Sequence, residues 1–399
     1  MNAIFKKAIP LIEKIEQAGY EAYFVGGSVR DYLINRSIND VDIATSATPQ
    51  EIKQLFQQTV DIGIEHGTVM VIFNGIPYEI TTFRTESEYK DFRKPEKVQF
   101  VRSLTDDLQR RDFTMNAIAM DRKGEVIDPF GGRQAILDRK ITAVGEAEER
   151  FSEDALRMMR AIRFVSQLSF RLDHSCYDAL IKLGPLLNFI AVERKTAEFE
   201  KLLIGKDRVE AVNLLINTKL VHFLPGLAPF EIALKRMTDY PCQELELEEM
   251  WVLLLCCLKL PMTEVGRFLN QWKLPVKKIR EIQAIYQWTQ FRMEHEWSKM
   301  EIFEAGKGNM VHAQRLVNVL LDKETNESIG QCLKRYENLP IKSRREVAFT
   351  GTDLMELLNR QAGPWIKEYL SLIEKTILEG QLVNQPEKIR EWVLECNLK

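Results

Sequence analysis

Gly26-Gly27-Ser28-Val29-Arg30-Asp31, followed nine residues later by Asp40-Val41-Asp42-Ile43-Ala44-Thr45, decides how this chain is read. The second stretch reads as a strand over 40–45. Two carboxylates at i and i+2 of a strand point to the same face, so Asp40 and Asp42 can reach one pair of divalent cations. The first stretch reads as a strand over 23–29 that runs into a Gly-Gly turn, with Arg30 close behind. Glycine lets the backbone approach a phosphate and turn its N–H groups toward the oxygens. A triphosphate held beside two carboxylate-bound cations is the arrangement of a two-metal nucleotidyl transfer centre. An isolated Asp-x-Asp is usually a solvated strand end or turn. The glycine turn and the arginine favour the transfer centre.

Working outward, a third carboxylate would complete a cage around the ions. Glu79 is the candidate, because it lies on the strand of a hairpin expected beside the first two, although an ordinary edge-strand glutamate has the same sequence. Oxygen-only ligands favour Mg²⁺. Arg110-Arg111-Asp112-Phe113-Thr114-Met115-Asn116-Ala117 would suit ribose and triphosphate contacts; the alternative is a solvated helix start. Glu153-Asp154-Ala155-Leu156-Arg157-Met158-Met159-Arg160-Ala161-Ile162-Arg163 reads as one helix with Asp154 and Arg157 a turn apart. A plain salt bridge is one reading. The other concerns base edges: cytosine and adenine each present an amino donor beside a ring-nitrogen acceptor, which a carboxylate and a guanidinium complement. Uracil and guanine have the opposite polarity and would leave both side chains unpaired. Arg160 continues the stripe, whereas Arg163 has drifted about half a turn from Asp154.

The 399 residues exceed one ordinary core, so two to four domains are expected. With a net charge of −3, a nucleic-acid surface has to be a local patch rather than the whole molecule. The six cysteines have no C-x-x-C spacing and read as reduced cytosolic thiols, Cys256-Cys257 as buried ones. Five histidines without a His-x-x-x-His pair argue against zinc. The first residues lack a secretory apolar core, and no apolar run reaches membrane-spanning length.

Residues 1–20 read as an amphipathic helix, and Thr48-Pro49 as the capped start of another. Strands over 68–73 and 78–83 flank Asn74-Gly75, a strong hairpin signal. Beyond about residue 147 only amphipathic helices are expected, broken near Gly184-Pro185, Leu224-Pro225-Gly226, Leu274-Pro275 and Gly363-Pro364. The acidic run 244–249 reads as a solvated helix start. The expected class is α+β, a mixed-sheet head followed by an all-α remainder.

Taken together, the glycine turn with its two aspartates, Arg110-Arg111-Asp112, and Glu153-Asp154-x-x-Arg157-x-x-Arg160 resemble three signatures of the class II tRNA nucleotidyltransferases. These are the CCA-adding enzymes of the polymerase-β-like superfamily. Asp128-Pro-Phe-Gly-Gly and Glu193-Arg-x-x-x-Glu198 resemble two more, so the likeness covers residues 23–200 in order. Length and helical character of the second half are similar to bacterial, Bacillus-type members. The resemblance implies Mg²⁺ at Asp40 and Asp42, and nucleotide contacts at Gly27, Arg30, Arg111, Asp154, Arg157, Arg160 and Arg163. It implies a head over 1–140, a neck over 141–205, a body over 206–305 and a tail over 306–399, with the helical parts gripping the acceptor and TΨC arms of tRNA. It further implies CTP and ATP as substrates, a homodimer and a cytoplasmic location. Residues 86–97 resemble the family's flexible loop associated with the switch from C to A. No His-Asp dipeptide is present, so the accessory phosphohydrolase domain of some relatives is not expected. A poly(A) polymerase or an A-adding enzyme of the same superfamily could share these motifs, and a non-catalytic RNA-binding protein is a more distant alternative.

Overall fold

The structure, a computed structural model, describes residues 1–90 and 94–397. It divides into two compact units, Met1–Lys235 with Gln271–Lys273, and Arg236–Asn270 with Leu274–Lys399.

The first unit begins with α1 (Ala3–Gln17), whose Phe5, Ala8, Leu11, Ile12 and Ile15 recur at helical spacing and are fully buried. Phe5 tilts against Phe24 of β1 (Ala22–Val25) at 4.8 Å between ring centroids. The strand expected over 23–29 therefore ends early. Gly26 turns the chain at φ 69°, ψ −133°, a conformation that L side chains rarely adopt, and residues from Gly27 onward form α2 (Gly27–Leu33). Next come β2 (Asp42–Thr45), α3 (Pro49–Leu55), β3 (Thr59–Gly63), β4 (Thr68–Phe73) and β5 (Ile76–Thr82). The strand expected over 40–45 starts at Asp42, with Asp40 in the segment leading into it.

Local chemistry explains several boundaries. Thr48 and Glu51 close a capping box on α3. Asn74 and Gly75 both have positive φ, 51° and 76°, which is what a two-residue hairpin turn with right-handed twist requires. Two-stranded β6 (Arg84–Lys90) and β7 (Lys94–Phe100) occupy much of the expected loop 86–97, of which residues 91–93 lie outside the described residues. Then follow α4 (Leu104–Gln109), a 3-10 turn at Thr114–Asn116, β8 (Ala119–Met120), β9 (Val126–Ile127), α5 (Gly132–Leu137) and β10 (Lys140–Ile141). The head sheet has the order β3-β4-β5-β2-β1-β8-β9. Only β2 and β5 run parallel in it, with Asp42 opposite Glu79, while Val25 lies opposite Asp42 on the other side. The mixed sheet is as expected.

Helices α6 (Ala147–Glu153) and α7 (Leu156–Leu168) come next. The single helix expected here is broken: Asp154 has extended backbone at φ −134°, ψ 100°, and its carboxylate accepts from the Leu156 N–H, opening α7. A short strand, β11 (Arg171–Leu172), pairs in parallel with β10, an element the apolar pattern did not signal because it is only two residues long. Further helices are α8 (His174–Leu183), α9 (Val192–Leu203), α10 (Arg208–Asn217) and α11 (Glu231–Arg236).

The second unit is helical, with α12 (Leu247–Leu258), α13 (Met262–Gln271), α14 (Val276–Glu294), α15 (Lys299–Leu320), α16 (Thr325–Glu337), α17 (Gly351–Leu358), α18 (Trp365–Leu378) and α19 (Pro386–Asn397). Gly306 interrupts α15 at φ 69°. The acidic run is not uniformly solvated: Glu249 is fully buried and receives His312 Nδ1 at 2.8 Å and Arg315 Nη1 at 2.7 Å. None of the six cysteines is in a disulfide, and Cys257 is buried but Cys256 partly exposed, contrary to the expectation for the latter. Among the described residues, no helix is long and apolar enough to cross a membrane.

One motif acts through the fold. The Asp128 carboxylate accepts from the N–H groups of Gly132 and Arg133, at 2.7 and 2.8 Å, and so starts α5. A Cβ on Gly132 would lie 2.2 Å from the Thr114 carbonyl oxygen and 2.6 Å from Ile118. Gly132→Ala should lower stability by about 1–3 kcal/mol, the usual cost of overpacking. A urea unfolding midpoint equal to that of the unaltered protein would contradict this contact.

Candidate active site

A cleft of about 710 Å³ opens in the first unit where the α2 turn, the start of β2, the segment after α4, the α6–α7 junction and α9 meet. All of the expected site residues line it except Glu79: Asp40, Asp42, Gly27, Arg30, Arg111, Asp154, Arg157, Arg160 and Arg163.

Gly26 leaves room for the arginine wall of the cleft. A side chain there would meet Arg111 Nη1 at 3.0 Å. Arg111 and Arg110 both lean on Asp107, at 3.1 and 2.7 Å, and Asp107 is fully buried on α4. Burial alone would raise the Asp107 carboxyl, but Arg111 and Arg110 outweigh it and hold it below the ordinary range. This anion was not picked out from sequence, although its i,i+3 and i,i+4 spacing to the arginines was readable.

The Asp112 carboxylate joins the walls. It accepts from Arg160 Nε at 2.8 Å, from Asn116 Nδ2 at 3.1 Å and from the Phe113 N–H at 2.8 Å. Asn116 in turn accepts from Arg30 Nη1 at 2.6 Å, and Arg30 is also paired with Asp31 at 2.9 Å. Arg110 and Arg111 thus face the cleft, while Asp112, read from sequence with them as a ligand contact, is a buried anchor at 7% exposure. Burial pushes Asp112 up, but Arg160, the Asn116 hydrogen bond and Arg157 hold it far below the usual carboxylate range.

The side chains of Asp154 and Arg157 each have other partners, on either side of the break between α6 and α7. Asp154 is joined to Arg194 of α9 at 2.9 Å. Arg157 donates to Glu153 at 2.7 Å and to the carbonyls of Arg150 and Arg110 at 3.1 and 3.0 Å. Arg163 approaches Glu198 of α9 at 2.9 Å. Burial lowers its guanidinium to about 10, with Glu198 opposing, so it stays charged at neutral pH. Arg194 and Glu198 belong to the fifth motif, but no local pattern ties them to partners 40 and 35 positions earlier.

Four carboxylates therefore line the cleft, and two of them, Asp112 and Asp154, are neutralised by arginines. Neither Asp40 nor Asp42 has an ion-pair partner among the described residues. Burial, then Asp40, then Glu79 push the Asp42 carboxyl above its ordinary value, with Arg111 opposing, even though solvent in the cleft reaches the side chain. Two like charges short of a counter-charge, with oxygen donors only, fit a hard divalent cation. Glu79 sits beside Asp42 on the sheet but is exposed and outside the cleft wall. Among the described residues, no three Asp, Glu, His or Cys side chains gather as a metal cage.

The depressed Asp112 pKa has a definite sign. Its contribution to stability is complete above the ordinary carboxylate range and is lost as pH falls through the depressed folded-state value. Asp112→Asn should cost about 2–4 kcal/mol at pH 7, because it strips a buried charge partner from Arg160. It should also flatten the loss of stability below about pH 4. Denaturant melts at pH 7 and pH 3 check both, and a variant as stable as its parent at pH 7 would remove Asp112 from its anchoring role.

Residues 22–142 match the poly A polymerase head domain, 169–231 the probable RNA and SrmB-binding site of polymerase A, and 244–393 tRNA nucleotidyltransferase domain 2. The chain is 48% identical over 396 residues to the CCA-adding enzyme of Bacillus cereus, spanning 99% of both chains. It is also 48% identical to that of a Geobacillus species, covering 100% of this chain and 98% of the relative. The crystal structure of the Bacillus stearothermophilus CCA-adding enzyme in complex with CTP is 44% identical and superposes with a TM-score of 0.92, over 100% of this chain and 98% of that one. The Thermotoga maritima CCA-adding enzyme complexed with tRNA, at 19% identity and a TM-score of 0.60, shares the fold. With this agreement along its whole length, the chain belongs to the CCA-adding enzyme family of nucleotidyltransferases.

Proposed function

We propose that this protein adds C, C and A stepwise to the 3′ end of tRNA from CTP and ATP, without a nucleic-acid template, and releases pyrophosphate. The observation that carries the reading is the charge imbalance: an arginine-lined cleft whose two uncompensated carboxylates, Asp40 and Asp42, lie beside a glycine turn. Full-length identity to CCA-adding enzymes favours this over poly(A) synthesis.

The reaction is an in-line displacement. The 3′-hydroxyl of the RNA loses its proton to solvent as its oxygen bonds to the α-phosphorus of the nucleotide, the bond from that phosphorus to the bridging oxygen breaks, and pyrophosphate leaves with the electron pair. Mg²⁺, with Asp40 and Asp42 as its protein ligands, supplies acidification of the attacking hydroxyl and neutralisation of the leaving group when bound. Glu79 adds negative charge on the adjacent rung. Arg30 and Arg111, with the Gly27 backbone, oppose triphosphate charge, and Arg160 and Arg163 extend that wall. Asp154 accepts from the amino group of cytosine or adenine, and Arg157 donates to the ring nitrogen. Their fixed partners, Arg194 on one and Glu153 on the other, support this role by limiting reorientation when a base arrives.

We assign the head to 1–140, the neck to 141–205, the body to 206–305 and the tail to 306–399, with the helical regions receiving the acceptor and TΨC arms of tRNA. The protein acts in the cytoplasm as a homodimer.

Purified protein incubated with Mg²⁺ and tRNA lacking its terminal CCA provides the test. CTP alone should add two residues, ATP alone should extend only tRNA ending in CC, and both together should add three. Long A tails from ATP would overturn the reading. Asp42→Ala should lower incorporation by about 10³-fold or more with the thermal melt intact; near-normal activity would exclude Asp42 as a metal ligand.

A further inference from the structure

We propose that Phe164 is a positioning residue for nucleotide binding, its ring being the shared surface on which three arginines of the cleft are set. The ring belongs to α7, is 4% exposed and borders the cleft. The guanidinium carbons of Arg163, Arg30 and Arg160 lie 4.0, 5.2 and 5.6 Å from its centroid. The aromatic ring is itself fixed from behind, edge-on to Phe113 at 5.8 Å and 88°, and Phe113 is fully buried.

Ordinary core packing explains why a phenylalanine is buried on α7. It does not explain why three cations from two elements converge on one ring. Each cation has its own carboxylate, Asp31 for Arg30, Asp112 for Arg160 and Glu198 for Arg163. Asp112 and Asn116 tie Arg160 to Arg30 by hydrogen bonds, but among the described residues that chain does not extend to Arg163. The Arg163 pair is also poorly aligned: at 2.9 Å, Arg163 Nε and Glu198 Oε2 each still lack a hydrogen-bond partner. The closest oriented contact of that guanidinium is therefore the aromatic face, whose quadrupole attracts all three cations at once. With the ring in place the wall is preorganised for an anionic ligand before the ligand arrives.

The inference rests on the reading of this cleft as a nucleotide site, and the experiment separates the two. Steady-state KM and kcat for CTP and ATP are measured with full-length Phe164→Leu, Phe164→Met and Phe164→Tyr, alongside Asp42→Ala and thermal melts. Removal of the ring in Phe164→Leu should raise KM for both nucleotides by about tenfold while kcat changes by less than about threefold. Phe164→Tyr, which keeps the face, should restore KM to within about twofold. Phe164→Met, which fills the space without a π face, should behave as Phe164→Leu and stands in for it if that variant does not fold. Unchanged KM in either folded aliphatic variant, or a folded Phe164→Tyr with KM as high as Phe164→Leu, would overturn the role. Near-normal incorporation by Asp42→Ala would instead overturn the functional reading beneath it.

Discussion

Eight arginines line one cleft, and like charges at that density repel one another strongly unless anions are built among them. The fold meets this constraint with carboxylates set below and between the guanidiniums: Asp107 under Arg110 and Arg111, Asp112 against Arg160, Glu153 against Arg157, Asp154 against Arg194 and Glu198 against Arg163. Buried ion pairs seldom add much net stability, because desolvation offsets the attraction. Their effect here is geometric. They hold donors in place at a concave surface so that little reorganisation is needed when an anionic ligand arrives.

Against that background Asp40 and Asp42 stand out as the cleft carboxylates without arginine partners among the described residues. The sheet register sets Asp42 between Val25 and Glu79, and the Gly26 turn brings Arg111 near enough to oppose, without cancelling, the mutual repulsion. The same cleft offers two kinds of surface, a cationic wall and an anionic corner, which the proposed reading gives to a triphosphate and to the ions that accompany it. That division of labour is what links the fold to nucleotidyl transfer.

Much of this was legible in the sequence where the cause is local. Asn74-Gly75 specified its hairpin because both residues tolerate positive φ, and Thr48-Pro49-x-Glu51 specified its helix start through a capping box. The cleft residues were legible as motifs because glycine, aspartate and arginine carry the chemistry itself. What could not be read were the partners. Asp112 with Arg160, Asp154 with Arg194 and Arg163 with Glu198 join positions 48, 40 and 35 residues apart, and only the packing of α7 against α9 and the head brings them together. The break at Asp154 was hidden for a related reason: the residues around it keep helical spacing, and the interruption exists because the Asp154 side chain caps the next helix. Glu249 reads as part of a solvated acidic run for the same reason, since the partners that accompany its burial, His312 and Arg315, lie on another helix.

The most direct measurement of the central claim is an anomalous difference map from crystals soaked with Mn²⁺ and CTP. The account predicts metal density bridging the carboxylates of Asp40 and Asp42 to the triphosphate, with the base against Asp154 and Arg157. A triphosphate seated in the cleft with Mn²⁺ held by phosphate oxygens alone, and no density at either aspartate, would contradict it.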